Sequence, residues 1–200
     1  MTSGIKRLFL AAVMLLTLTS SFAQATGLTG GDNRNDRTLK FYNTHTRENM
    51  VVTYWRNGHY DHDALDHINT YLRDHRSGHV HEMNFKLMNL LYDLGQQLHR
   101  SHPDVDIVFN VISGYRSPKT NAMLRANGGG QAKNSQHMYG NAIDIRVPGI
   151  DISEIRDTAW CMQRGGVGYY RGSDFVHVDV SRVRYWNWAP KPGMCGRGNS

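Results

Sequence analysis

A single aspartate interrupts an otherwise apolar strand pattern in residues 141–147, whose sequence is NAIDIRV. Asp144 stands between Ile143 and Ile145, where a buried strand normally carries a hydrophobic side chain. An ionised carboxylate in such a place must be paired with a cation or must bind a metal ion. The segment therefore restricts the chain to folds that provide Asp144 with a partner.

Two histidines are candidate partners of Asp144. His137 precedes the strand in the sequence SQHMYGNAID, and His177 lies between Val176 and Val178 in a second short apolar run. Imidazole and carboxylate ligands suit zinc, and a catalytic zinc site uses three protein ligands and keeps one position open. The chain has no HExxH helix motif. A structural hydrogen bond between histidine and aspartate explains the same residues equally well.

The rest of the chain predicts an α+β fold with a mainly antiparallel sheet, because helical patterns come early and short strands cluster late. Apolar periodicity and capping residues are the signals used. The predicted order is a hairpin over 38–58, helices over 61–78 and 82–100, a strand over 104–113, a helix from Ser117 with Pro118 at its first position, a strand over 141–147, a helix from 151 to 164 and three short strands beyond it.

The first 25 residues have the pattern of a secretory signal peptide. Lys6 and Arg7 form a positive n-region, residues 8–18 are apolar, and residues 23–25 (AQA) resemble a cleavage site. The apolar run is short for a membrane span. Retention of the segment as an N-terminal anchor is the alternative.

The predicted organisation is a signal peptide over 1–25, a flexible leader over 26–37 and one domain over 38–200. The net charge of +6 would suggest nucleic acid in the cytoplasm, but export favours an anionic cell-wall polymer, unless the charge serves only solubility. In an oxidising compartment Cys161 and Cys195 predict one disulfide, with two unpaired thiols as the alternative. We expect a periplasmic monomer with no nucleic-acid partner and no stable membrane span after signal cleavage.

Several motifs resemble a known peptidase family. The string SQHMYGNAID matches the S-x-H-x-x-G-x-A-x-D signature of the zinc D-Ala-D-Ala carboxypeptidases and endopeptidases of the bacterial cell wall, and FVHVD provides the later histidine. SGYRSPKTN and GGVGYY are similar to the murein endopeptidase K branch. The resemblance extends over residues 38–186. It implies a hedgehog/DD-peptidase-like fold, with helices packed on a central, mainly antiparallel sheet and a zinc site on that sheet.

The resemblance also implies roles for individual residues. One zinc ion would be bound by His137, Asp144 and His177. Arg116 would hold a substrate carbonyl or carboxylate and stabilise the developing oxyanion. A guanidinium suits this role because it offers hydrogen-bond donors in a fixed geometry. The alternative is that Arg116 is a surface arginine at a helix start. Ser135 matches a serine beside the substrate, or is a turn residue. Aromatic residues that either line a substrate groove or pack under the sheet are Tyr169, Tyr170, Tyr185, Trp186 and Trp188.

Two aspartates are candidates for the general base that zinc hydrolysis requires. Relatives place an acid or a histidine three residues before the last ligand, which corresponds to Asp174, although this residue could simply form a turn. Asp179 shares a strand face with His177, so it either orients that imidazole or acts as the base. We predict Asp174 as the base and Asp179 as the partner of His177.

The predicted function is an exported zinc metallopeptidase that hydrolyses peptide cross-links of peptidoglycan during cell-wall growth or remodelling. The bond is D-Ala–meso-diaminopimelate, meso-diaminopimelate–meso-diaminopimelate, or both. A carboxypeptidase that trims stem peptides and a non-catalytic, zinc-containing wall-binding module are the alternatives. A serine penicillin-binding enzyme requires S-x-x-K together with K-T-G, and the chain lacks this pair of motifs.

Overall fold

The computed structural model describes residues 35–196 of the 200-residue chain. The predicted signal peptide over 1–25 and most of the predicted leader over 26–37 lie outside this part. Arg37, the last residue of that predicted leader, already belongs to the first strand. None of the helices within 35–196 has the length and hydrophobicity that a membrane span requires.

Eight strands form one mixed sheet. They are β1 (Arg37–Asn43), β2 (Asn49–Arg56), β3 (His59–Tyr60), β4 (Phe109–Ser113), β5 (Ala142–Arg146), β6 (Gly166–Tyr170), β7 (Phe175–Asp179) and β8 (Arg184–Trp186). Their order across the sheet is β3-β2-β1-β4-β5-β7-β6-β8. The β1–β4 and β6–β8 pairs are parallel and the other neighbouring pairs are antiparallel. The predicted α+β class with a mainly antiparallel sheet is confirmed.

Four helices accompany the sheet in the described range: α1 (His62–Tyr71), α2 (Phe85–Ser101), α3 (Pro118–Ala126) and α4 (Ile152–Cys161). The apolar side chains of α2 and α4 share one buried core with Ile143 and Ile145 of β5 and with Val176 and Val178 of β7. Because successive side chains of a strand point to opposite faces, Asp144 and His177 lie on the face turned away from this core.

Two elements are about half as long as predicted, and the helices predicted over 82–100 and 151–164 are shorter by a few residues. The strand predicted over 104–113 begins only at Phe109, because Val105 and Ile107 pack at the edge of the core without pairing to another strand. An alternation of apolar residues indicates burial, and a buried segment does not have to be hydrogen-bonded to a neighbouring strand. Helix α1 ends at Tyr71, well before residue 78. Beyond it the side chain of Asp74 accepts the backbone N–H of Arg76 and turns the chain.

A disulfide joins Cys161, the last residue of α4, to Cys195 in the C-terminal tail, as predicted. The tail also packs through its aromatic residues, since the Trp188 ring lies 6.0 Å from the Trp160 ring. The segment after β8 is therefore tied to α4 by a covalent bond and by ring contacts.

The turn before β5 depends on Gly140, which has a φ of 66° and follows the 3₁₀ helix Gln136–Tyr139. A Cβ at this position would lie 2.2 Å from the carbonyl oxygen of Glu82. We expect Gly140→Ala to lower the free energy of unfolding by about 2–3 kcal/mol, because the left-handed conformation costs an L residue energy and the Glu82 backbone must move. Chemical denaturation measures this loss.

The matched control for this prediction is Gly172→Ala. A Cβ at Gly172 would meet nothing within 4 Å, so a change within about 0.5 kcal/mol is expected. Equal effects at Gly140 and Gly172 would show that the close approach to Glu82 does not constrain the turn.

Candidate active site

The three residues predicted as metal ligands meet on the face of the sheet opposite the core. Asp144 of β5 is paired directly with His177 of β7, and His137 lies in the 3₁₀ helix that precedes β5. His137 Nε2 is 3.2 Å from Asp144 Oδ1 and 3.1 Å from His177 Nδ1, and His177 Nδ1 is 2.9 Å from Asp144 Oδ1. All three side chains are buried. The local register thus forms one compact cluster of possible metal ligands.

The outer hydrogen bonds of the two imidazoles indicate which nitrogens carry lone pairs. His137 Nδ1 lies 2.7 Å from the Gly114 carbonyl oxygen, and His177 Nε2 lies 3.1 Å from Asp179 Oδ2. Each of these nitrogens donates its proton outward, so the other nitrogen presents a lone pair to Asp144. Three lone pairs this close repel one another unless a proton or a cation lies among them. Tetrahedral zinc holds its nitrogen and oxygen ligands about 3.3 Å apart, near the observed separations.

Electrostatics favour the metal-binding forms of two of these groups. Burial would raise the pKa of Asp144, but the positive charge and hydrogen bonds of His137 and His177 in their protonated forms outweigh it and hold that pKa well below its usual range. Burial lowers the pKa of His137 despite the neighbouring carboxylate. An ionised carboxylate and a neutral imidazole are the states that bind a metal. For His177, burial is outweighed by Asp144 and Asp179, which raise its pKa.

Asp179 holds the imidazole of His177 from the side away from Asp144. Its carboxylate is fully buried and also accepts hydrogen bonds from Arg184 Nη2 (2.7 Å), Ser181 Oγ (2.6 Å) and the backbone N–H of Gly166 (3.1 Å). Burial would raise the pKa of Asp179, but the hydrogen bonds from His177, Arg184 and Ser181 lower it well below its usual range. This arrangement suits a residue that orients the ring.

We expect Asp179→Asn to weaken metal binding by about 10- to 100-fold, the range typical of groups that orient a ligand. An amide nitrogen turned toward His177 Nε2 would force the proton onto Nδ1 and remove the inward lone pair. Competition with a chromogenic chelator measures the affinity. Asp106→Asn removes an exposed carboxylate that is paired with Lys40 and should leave metal binding unchanged. Equal metal affinities for the two variants would refute the role of Asp179.

Asp174 does not touch the three clustered side chains. It follows the 3₁₀ helix Arg171–Ser173 with a φ of 54°, and its side chain is 62% exposed and lies 2.8 Å from Arg146 Nη1. Arg146 is two residues from Asp144 on β5 and therefore shares its face. Asp174 is thus connected to the face that carries the cluster through Arg146, in an exposed ion pair, which holds a side chain only weakly.

Arg116 and Ser135 line the same cleft as the clustered ligands. Arg116 Nη2 lies 3.6 Å from Asp144 Oδ2 and donates to Ser113 Oγ at 3.3 Å. Only 8% of Arg116 is exposed, so the alternative of a surface arginine is wrong. Ser135 is also buried, and its side chain makes no capping hydrogen bond to the 3₁₀ helix that it precedes.

The cleft has a volume of about 750 Å³. Of the predicted aromatic residues, Tyr170 and Trp186 line it, and the Trp186 ring lies 5.0 Å from the His177 ring. Gly168 makes this approach possible, because a Cβ there would lie 2.4 Å from the indole. The other three aromatic residues pack against neighbouring rings or Arg156; they are Tyr169, Tyr185 and Trp188.

Two further residues at the site are absent from the sequence predictions. The Gly114 carbonyl sets the tautomer of His137, and Arg76 forms part of the cleft wall. Gly114 lies in SGYRSPKTN, which carries the family resemblance, and Arg76 lies within residues 38–186, over which that resemblance extends. A backbone carbonyl leaves no side-chain signal, and the position of Arg76 depends on contacts between distant segments.

The fold is α+β, and its sheet carries a buried cluster of two histidines and an aspartate with an arginine beside it in one cleft. These features define a candidate metal-dependent peptidase. The family model described as "Peptidoglycan L,D-endopeptidase MepK" matches residues 32–186, and the chain belongs to this family. The predicted murein endopeptidase K branch, and with it the class of peptidoglycan endopeptidases, is confirmed.

Curated relatives agree with this assignment. "Peptidoglycan L,D-endopeptidase MepK" of Escherichia coli strain K12 is 38% identical over 150 residues, which are 75% of this chain and 80% of that protein. "Probable peptidoglycan L,D-endopeptidase MepK" of Haemophilus influenzae is 36% identical over 150 residues, 75% of this chain and 78% of that protein. No solved structure matches the chain significantly.

Proposed function

We propose that this chain is an exported zinc L,D-endopeptidase that hydrolyses the cross-link between two meso-diaminopimelate residues of peptidoglycan. The observation that carries the proposal is the convergence of three metal-ligating side chains, His137, Asp144 and His177, in one cleft. The family description and the names of the curated relatives supply the reaction class.

The designation L,D distinguishes between the two bonds that the sequence left open. In a D-Ala–meso-diaminopimelate cross-link, the acyl group and the amine both come from D centres. In a link between two meso-diaminopimelate residues, the acyl group comes from an L centre and the amine from a D centre. The names of the relatives therefore favour the second bond for this chain.

The residues that line the cleft lie on both sides of the clustered ligands, an arrangement that suits an endopeptidase. His45 and Arg76 line it on the side of β1 and β4, whereas Tyr170 and Trp186 line it on the side of β6 and β8. Asp144 lies between them on β5. A carboxypeptidase would need space mainly on one side of the scissile bond.

Each residue of the site has a separate role in the proposed reaction. A zinc ion bound by His137, Asp144 and His177 would polarise a carbonyl and acidify a water molecule. Arg116 donates hydrogen bonds to the scissile carbonyl oxygen as negative charge develops. Asp174 accepts the proton of the attacking water and delivers it to the leaving amine. Asp179 keeps His177 in the tautomer that faces inward.

A periplasmic location fits this function. Residues 1–25 have the pattern of a signal peptide, and the substrate lies outside the cytoplasmic membrane. The net charge of +6 favours approach to an anionic wall polymer.

The experiment that tests the proposal is digestion of purified cross-linked muropeptide dimers, with the products identified by mass spectrometry. We expect dimers joined through two meso-diaminopimelate residues to become monomers and dimers joined through D-Ala to persist. Loss of only a terminal residue would establish a carboxypeptidase instead. A zinc-loaded chain that binds dimers without cleaving them would establish a wall-binding module.

A further inference from the structure

Arginines from three separate segments line the cleft, and they differ in whether the protein neutralises them. Arg116 faces Asp144 at 3.6 Å, and Arg184 donates to Asp179 at 2.7 Å. Within residues 35–196 the exposed guanidinium of Arg76 makes no hydrogen bond or ion pair to another side chain or to the backbone. Arg76 is thus a cation in the cleft without a protein partner in the described part of the chain.

The loop that carries Arg76 is nevertheless held firmly beside Arg116. Asp74, which is 1% exposed, accepts the backbone N–H of Arg76 through Oδ1 at 3.0 Å and the backbone N–H of Ser117 through Oδ2 at 3.1 Å. It also accepts from Ser77 Oγ at 2.8 Å. One buried carboxylate therefore connects the loop after α1 to the segment that follows Arg116, so Arg76 is presented from a fixed backbone.

The negative charge near Arg76 is already engaged by other groups, because the buried carboxylate of Asp74 accepts hydrogen bonds from Ser77 and from the backbone of Arg76 and Ser117. Among the residues that line the cleft, Asp144 is the acidic one, and it already faces Arg116 and the two histidines. The neighbouring His75 stacks on His45 with 3.9 Å between ring centroids. Burial, together with the charges of His45 and Arg76, lowers the pKa of His75 to about 4. An anionic group from outside the protein would neutralise the guanidinium of Arg76 in this part of the cleft.

We propose that Arg76 is a specificity-determining residue that binds a free carboxylate of the stem peptides joined by the cross-link. This inference rests on the proposed function. A dimer joined through two meso-diaminopimelate residues has one such carboxylate on the D centre whose nitrogen forms the scissile amide, and another on the D centre of the acyl-donating residue. A guanidinium on a fixed backbone matches the two oxygens of a carboxylate.

The test compares the hydrolysis of three dimers: one with both carboxylates free, one amidated on the amine-donating residue and one amidated on the acyl-donating residue. For Arg76→Gln we expect KM for the free dimer to rise about tenfold, as for a lost charge-assisted hydrogen bond, with kcat within about twofold of wild type. One of the amidated dimers should show the same rise in KM with the wild-type chain and no further rise with Arg76→Gln. The amidation that abolishes the difference in KM between the wild-type chain and Arg76→Gln identifies the carboxylate that Arg76 binds.

The control is Arg100→Gln, which removes an arginine that is also exposed, at the end of α2 and outside the cleft, and should leave KM unchanged. Arg76→Lys, which keeps the charge but loses the planar fork, should fall between Arg76→Gln and wild type. If Arg76→Gln raises KM equally for all three dimers, or behaves like Arg100→Gln, the inference is wrong while the proposed function stands. If the wild-type chain cleaves none of the dimers, the proposed function itself fails.

Discussion

His177→Ala is expected to abolish both zinc binding and hydrolysis of the cross-link. His177 Nδ1 lies 2.9 Å from Asp144 Oδ1 and 3.1 Å from His137 Nε2, so its removal leaves two of the three protein ligands that a catalytic zinc requires. We expect zinc affinity to fall by more than about 100-fold, beyond the effect of an orienting group. kcat/KM should fall by roughly 10³-fold or more, since a catalytic metal supplies several kcal/mol of transition-state stabilisation.

Thermal unfolding separates this effect from simple misfolding. A ligand that binds only the folded state raises the unfolding temperature, so zinc should stabilise the wild-type chain and leave His177→Ala unchanged. The metal-free variant should still unfold cooperatively. His99→Ala, on the exposed part of α2, is the matched control and should behave as wild type. Wild-type hydrolysis by His177→Ala would contradict the assignment of the metal ligands.

Asp174→Asn is expected to lower kcat by about 10²- to 10⁴-fold, the contribution typical of a general base. Zinc affinity should remain within about twofold of wild type, because the Asp174 carboxylate contacts Arg146 and none of the three ligands. An asparagine keeps the size and the polar contacts of the side chain but cannot accept the proton. Steady-state kinetics with the cross-linked dimer and a parallel zinc titration measure the two quantities.

The informative comparison for Asp174→Asn is Asp179→Asn. The first variant should bind zinc normally and turn over slowly, whereas the second should recover activity as the zinc concentration is raised. The reverse pattern would make Asp179 the base. A kcat near the wild-type value for Asp174→Asn would show that the exposed pair with Arg146 is structural.

Local sequence signals were sufficient for most of the elements that carry the site. Ser117 caps α3 by accepting the Thr120 N–H, and Pro118 begins that helix, as predicted. The hairpin of β1 and β2 and the short strands β5 to β8 also form where their patterns indicate. The misplaced polar residues in two apolar strands, Asp144 and His177, were informative because a buried charge has few stable environments.

Features that depend on distant parts of the chain were not predictable from local pattern. The parallel pairing of β1 with β4 joins segments separated by two helices, and periodicity within either strand does not specify its neighbour. The position of Arg76 in the cleft depends on the hydrogen bonds of Asp74 to Arg76 and Ser117. The premature end of α1 has the same origin, since an aspartate side chain that forms a turn looks, in sequence, like an ordinary polar helix residue.

The most direct test of the central claim is a zinc titration of the metal-stripped chain, with metal binding and cleavage of the meso-diaminopimelate dimer followed in the same samples. We predict one tightly bound zinc per chain and cleavage that rises in proportion to zinc occupancy and stops rising at one equivalent. Full cleavage by the metal-stripped chain in the presence of a strong chelator would contradict this prediction. Binding of one zinc per chain by both the wild type and His177→Ala would also contradict it.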